Sequence, residues 1–213
     1  MTQIAILYHS VNGHTEVVAK CIHQGAASVK SVEVELIPLR AEEVNAGRWK
    51  NEHTLARLEA ADGIILGSPT LMGSASAVMK AFMETAVRPW MEQTWKDKFG
   101  SAFTNSASQS GDKLNSLIQF VIFGAQMGLI WVPVGDPPGN NWSGGSSKDT
   151  NRLGAWIGVM TQSNSDQGTE LAPSDGDRRT AERHGKRFAE IVRRWMGEGE
   201  YSTERIAKVA KNT

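Results

Sequence analysis

Cysteine is almost missing from this chain. Cys21 is the one thiol in 213 residues, so no disulfide can form within the chain and a reducing compartment is expected. Net charge is missing as well. Lys plus Arg and Asp plus Glu each number 23, which leaves no electrostatic reason to expect nucleic acid or an anionic membrane as partner. Long apolar runs are absent too. Nothing approaches the ~20 residues of a spanning helix. The run Ile4 to Tyr8 is too short for a signal-peptide core and has no basic flank before it. The five histidines, His9, His14, His23, His53 and His184, show no metal-type spacing such as HExxH. These absences predict a soluble cytoplasmic protein without a metal, and they exclude a disulfide scaffold.

What is present alternates. Ile4 to Tyr8, Val32 to Pro38, Gly63 to Gly67, Phe99 to Thr104 and Leu129 to Val134 read as five strands, with Trp156 to Thr161 as a further candidate. Between them run helical stripes: Val18, Cys21, Ile22 and Gly25; then Ala75, Val78, Met79, Phe82 and Met83; then Leu114, Leu117, Ile118, Val121, Ile122 and Ala125. Phe188, Ile191, Val192 and Trp195 mark a last core helix. Strands each followed by a helix predict an α/β fold with a doubly wound, five-stranded parallel sheet and helices on both faces. Continuous apolar strands agree, because parallel strands are covered on both sides. Gly135 to Arg152 is rich in Gly, Pro, Asn and Ser and reads as an insertion around the fifth strand. One domain over 1–197 is expected, with a polar extension over 198–213.

In open parallel sheets, ligands bind where the strands end, near the switch in strand order. Three strand-end loops are rich in small polar residues. Ser10-Val11-Asn12-Gly13-His14-Thr15 precedes a helix, and such a turn offers free backbone N–H groups and the helix dipole to an anion. It carries no Lys or Arg and lacks the Walker A pattern. Gly67-Ser68-Pro69-Thr70-Leu71-Met72-Gly73 leads into the next helix, near Ser74, with proline to fix the turn and glycine to admit a flat ligand. Asn105-Ser106-Ala107-Ser108-Gln109-Ser110 is the third loop. Taken singly, each also reads as an ordinary turn; together they point to a nucleotide-like ligand.

At these loops the chain resembles the flavodoxin-like superfamily, and within it the WrbA-type FMN-dependent NAD(P)H:quinone oxidoreductases. Tyr8 to Glu16 matches that family's YxSxxGHxE opening. Gly67 to Gly73 matches its G-T/S-P-T-x-F-G loop, and Phe103 to Gly111 matches its third loop loosely. The resemblance implies FMN, with the phosphate at Ser10 to Thr15, the ring edged by Pro69, Thr70, Leu71, Met72 and Gly73, and the ribityl and pyrimidine side lined by Asn105 to Ser110. It places Met127 at a family position near the flavin, where a histidine is usual, and Trp90 at a position for substrate stacking. The family's Gly-Gly-x-Pro-Tyr-Gly-Ala motif is reduced here to Asn151-Arg152-Leu153-Gly154-Ala155. It also implies NADH or NADPH as donor, a quinone-like acceptor and a homo-oligomer, a dimer or tetramer.

Hydride chemistry belongs to the flavin, so no acid–base pair is required of the protein. An oxidoreductase, a flavodoxin-type electron carrier and an FMN-binding regulatory protein all remain open. The neutral charge counts against the carrier, which docks best when strongly charged. Trp131 and Trp195 read as core. The basic run Arg178, Arg179, Arg183, Lys186, Arg187, Arg193 and Arg194 reads as a solvated face or an oligomer contact.

Overall fold

The computed structural model describes residues 1–197. Its element order is β1 (Thr2–Tyr8), α1 (His14–Ala27), β2 (Val32–Pro38), β3 (Val44–Asn45), β4 (Arg48–Trp49), α2 (Glu52–Ala60), β5 (Gly63–Leu71), β6 (Ser74–Ala75), α3 (Ala77–Thr85), α4 (Val87–Glu92), β7 (Phe99–Ser106), α5 (Lys113–Gln126), β8 (Ile130–Trp131), β9 (Val159–Gln162) and α6 (Asp175–Trp195). The expected extension, 198–213, lies outside the described residues.

The main sheet runs β2-β1-β5-β7, with β8 and β9 both paired to β7, and every one of these pairings is parallel. This is the doubly wound order whose switch point lies between β1 and β5. Alternation along β1 splits the core. Ile4, Ile6 and Tyr8 face α1 and α6, among Val18, Ile22, Phe188 and Val192. Ala5 and Leu7 face α2, α3 and α5, among Leu58, Met79, Phe82 and Phe120. Edge strand β2 carries Glu33 and Glu35, charges that discourage pairing with another chain.

Three expectations change. The fifth strand is split: β8 pairs with Phe99 and Gly100, and β9 pairs with Phe103 to Ser106, on the same edge of β7. The segment at Trp156 to Thr161 is therefore no sixth strand but the second half of the fifth, and the insertion loops out between the halves. The stripe on α5 is out of phase. Its buried residues are Lys113, Ser116, Leu117, Phe120, Phe123 and Gly124, while Leu114, Ile118 and Ile122 are exposed. Trp195 is exposed, and Trp131 half-buried. The core tryptophans are Trp49 and Trp95, which pack with Phe82 and Phe123 at centroid separations of 5.2 to 6.5 Å.

Helices α1 and α6 approach backbone to backbone. A Cβ added at Gly25 would fall 1.8 Å from the Glu182 carbonyl oxygen, and one at Gly185 would fall 2.0 Å from that of Ile22. The basic run of α6 stays largely solvent-exposed, as expected of a solvated face, while several of its guanidinium groups also reach neighbouring connections. Arg183 grips Asp136 with two bonds of 2.8 Å, Arg178 donates to the Pro173 and Thr169 carbonyls, and Arg179 donates to that of Lys148.

Candidate functional site

The carboxyl ends of β1, β5, β7 and β9 converge on one cavity. It is lined by Val11, Asn12, His14, Thr15, Pro69, Thr70, Leu71, Asn105, Ser106 and Ala107, with Ser163 and Ser165 from the segment after β9. All three loops singled out in the sequence thus meet, and a fourth completes them.

The first loop is built to hold an anion. Gly13 sits at φ +84, and a Cβ there would come within 2.7 Å of Thr169; glycine is the residue that accepts this backbone without strain. Helix α1 starts directly after it. Ser10 Oγ accepts the Glu16 N–H at 3.2 Å, so Ser10 caps the helix rather than lining the cavity. Among the described residues no hydrogen bond uses the N–H groups of Asn12, Gly13, His14 or Thr15. Four free donors at a helix start favour a phosphate. The His14 ring is held in place by Nε2, which donates to the Gln167 carbonyl at 2.9 Å.

The second loop proves to be strand. β5 runs on to Leu71, and a two-residue hairpin turns it back into β6, so the next helix begins not near Ser74 but at Ala77. Its tip, Met72-Gly73, has φ +47 and +78, the pair of left-handed residues that such a turn requires. Met72 is fully exposed and, like Gly73, stands outside the cavity lining. Beneath the hairpin, Thr70 Oγ1 meets Thr104 Oγ1 at 2.8 Å and Ser116 Oγ at 2.7 Å, which fixes the strand end in place. His9 Nδ1 and Ser76 Oγ lie 2.9 Å apart, and burial holds His9 below its ordinary pKa.

In the third loop, Asn105 is buried at the end of β7. Its Oδ1 accepts from Thr161 at 2.8 Å and from Ser163 at 3.0 Å. The Nδ2 donor is left without a partner in the described chain. Ser108, Gln109 and Ser110 are exposed and stand outside the cavity lining, next along the chain to Ala107.

Two expected residues are elsewhere. Met127 is buried at the opposite end of the sheet, where the Gly128 carbonyl accepts the Asp97 N–H just before β7 begins. Six residues of strand separate Phe99 from Asn105, about 20 Å at ~3.3 Å per residue. Trp90 lines an apolar groove with Met127, Val87 and Ile122 at that far end. Within one chain neither reaches the cavity. Ser163 and Ser165 were missed, although 163–169 has the same small polar composition as the other loops; its signal was hidden by the split of the fifth strand.

The sequence matches the NADPH-dependent FMN reductase family over residues 2–136. The chain belongs to this family. A relative named "Flavodoxin FldP", of Pseudomonas aeruginosa (strain UCBPP-PA14), is 37% identical over 192 residues, covering 90% of this chain and 97% of that protein. An "NAD(P)H dehydrogenase (quinone)" of Archaeoglobus fulgidus is 31% identical over 206 residues, covering 90% and 98%. A crystal structure described as a flavodoxin, WrbA-like protein from Agrobacterium tumefaciens superposes with a TM-score of 0.68 at 33% identity, covering 91% and 99%. The WrbA-type, flavodoxin-like character of this FMN reductase family member follows. No helix among the described residues is long and apolar enough to cross a membrane.

Proposed function

We propose that the protein is an FMN-dependent oxidoreductase that takes hydride from NADH or NADPH and delivers it to quinones or similar acceptors. The observation that carries this reading is the set of four unpartnered N–H groups from Asn12 to Thr15, opposite Thr70 and Asn105 in one cavity. The residues fit the cofactor. Neutral backbone donors and the α1 dipole would take its phosphate. Pro69, Thr70 and Leu71 would border its ring, and the Asn105 amide would donate to its polar side. When bound, FMN supplies the hydride acceptor. The protein positions it, keeps water from the buried side and holds strand ends rigid through the Thr70, Thr104 and Ser116 hydroxyls.

We infer further that the working form is a homo-oligomer in the cytoplasm. Leu114, Ile118 and Ile122 form an exposed i, i+4 row on α5, and Ile122 shares a groove with exposed Val87 and Trp90 of α4. A contiguous apolar face of this kind favours a second copy of the chain. Such packing is the arrangement in which Trp90 and Met127 would approach a neighbour's cavity, since they do not approach their own.

The test is NAD(P)H oxidation by FMN-loaded protein with benzoquinone. Turnover supports the enzyme; no turnover with either nicotinamide refutes it. The 37% identity to a protein named flavodoxin favours an electron carrier as the second reading. Tight FMN binding without turnover, together with rapid electron exchange with a redox protein, would establish that alternative.

A further inference from the structure

Lys113 is the first residue of α5, and its side chain is fully buried beneath the third loop. Its Nζ donates to Ser106 Oγ at 3.0 Å, to the Ser108 carbonyl at 2.6 Å and to the Gln109 carbonyl at 2.8 Å. Three donated bonds require the ammonium form, since a neutral amine has two N–H groups. Burial foremost lowers its pKa, to about 8; Asp177 opposes the fall and Arg152 adds to it. The ammonium therefore prevails at neutral pH. All its protons are engaged by the loop, so it has none to pass to a ligand.

A second side chain grips the same loop. Gln162 Nε2 donates to the Ala107 carbonyl at 2.8 Å. Gln162 is itself held: its Oε1 accepts from Arg152 at 3.2 Å, and its N–H donates to Asp177 Oδ2 at 2.8 Å. Arg152 and Asp177 close the frame with a buried bidentate pair at 2.7 and 2.8 Å. Thus Arg152, where the chain departs from the family motif, anchors this support.

Three consecutive carbonyls, 107, 108 and 109, are captured from the protein side. In a trans peptide the carbonyl oxygen and the following N–H point in opposite directions. The N–H groups of Ser108, Gln109 and Ser110 must therefore face away from Lys113 and Gln162. None of them has a partner in the described chain, and all three residues are exposed, directly following Ala107 of the cavity lining.

We propose that Lys113 and Gln162 are positioning residues: they preset the amides of Ser108, Gln109 and Ser110 as a row of donors for the edge of the flavin that gains negative charge on reduction. This rests on the FMN reading above. Preset donors and a nearby fixed cation stabilise the reduced cofactor more than the oxidised one. Both quantities are readable without turnover.

The experiment compares wild type, Lys113→Met and Gln162→Leu. FMN affinity is measured by calorimetry on the apoprotein, and the midpoint potential of bound FMN by anaerobic titration. Lys113→Met is expected to bind oxidised FMN at least tenfold more weakly. Reduced FMN loses a further tenfold, which lowers the two-electron potential by about 30 mV. Gln162→Leu shifts both in the same direction by less, and it decides the question if Lys113→Met does not fold. An unchanged potential in the folded variants overturns the proposal, even with weakened binding, because a merely structural role would weaken both redox forms alike. Wild-type apoprotein that takes up no FMN would instead overturn the site reading beneath it.

Discussion

His184 offers a stability test that is independent of the cofactor. It sits on α6, fully buried against the sheet, with Nε2 2.8 Å from Ser101 Oγ. The Ser101 hydroxyl already donates to the Val132 carbonyl at 2.9 Å, so the imidazole must donate through Nε2–H. Burial foremost, with Arg187 nearby, lowers the pKa from 6.5 to about 4, against the opposing pull of Asp136 and of the Val134 backbone. The neutral form is thus the folded form. As pH falls below 6.5 the unfolded chain takes up a proton that the folded chain refuses, so this contribution to stability is intact above 6.5 and is lost as pH falls toward 4. Between pH 7 and pH 5 the loss is about 2 kcal/mol, and below pH 4 it reaches about 3.4 kcal/mol. A domain typically has about 5–15 kcal/mol in total, so the effect is measurable. Urea unfolding, followed by fluorescence of the buried Trp49 and Trp95, should show it. His184→Gln keeps a donor for Ser101 and cannot titrate. Its stability should fall by about 2 kcal/mol less than wild type between pH 7 and pH 5. Identical pH dependence in the two proteins would refute the argument.

Two other variants probe packing and assembly. Gly185→Ala puts a methyl 2.0 Å from the Ile22 carbonyl, so α1 and α6 must part; a loss of about 1–3 kcal/mol is expected, seen as a melting temperature lower by several degrees. Ile118→Glu with Ile122→Glu places charge on the exposed face of α5; light scattering should report a smaller particle, while circular dichroism stays that of the folded chain. An unchanged mass would remove α5 from the subunit contact.

The strands were legible because parallel strands are apolar on both faces and are bounded by loops of distinct composition. β1, β2 and the start of β5 fall where the patterning puts them. The fifth strand was not legible as one unit, since its two short halves meet only through pairing with β7. Local sequence carries no record of a shared partner. Trp49 and Trp95 were likewise hidden. Each lies in a polar or irregular stretch, and each joins one aromatic cluster built around Phe82 from distant segments, Trp49 through Phe82 and Trp95 through Phe82 and Phe123. Of the site, the phosphate turn was legible from Gly13 and the helix start. Met127 and Trp90 were carried over from a resemblance that does not distinguish a chain's own cavity from a neighbour's.

The error on α5 is the informative one. Hydrophobic periodicity assigns the most apolar row of a helix to the core. Here that row, Leu114, Ile118 and Ile122, faces outward, while the buried row includes Lys113, Ser116 and Gly124. Each of these three has a reason that helix patterning cannot express. Lys113 holds the carbonyls of the third loop. Ser116 holds Thr70 at the end of β5. Gly124 makes room for Trp131, which a Cβ would meet at 3.1 Å. Two of the three polar or small residues in the buried face therefore brace the cavity, while Leu114, Ile118 and Ile122 are left exposed. Leu117, Phe120 and Phe123 keep the buried face of α5 apolar around these three residues, so the departure from the local rule is confined to the positions that brace the cavity or admit Trp131, and such departures are expected where a helix serves function as well as packing.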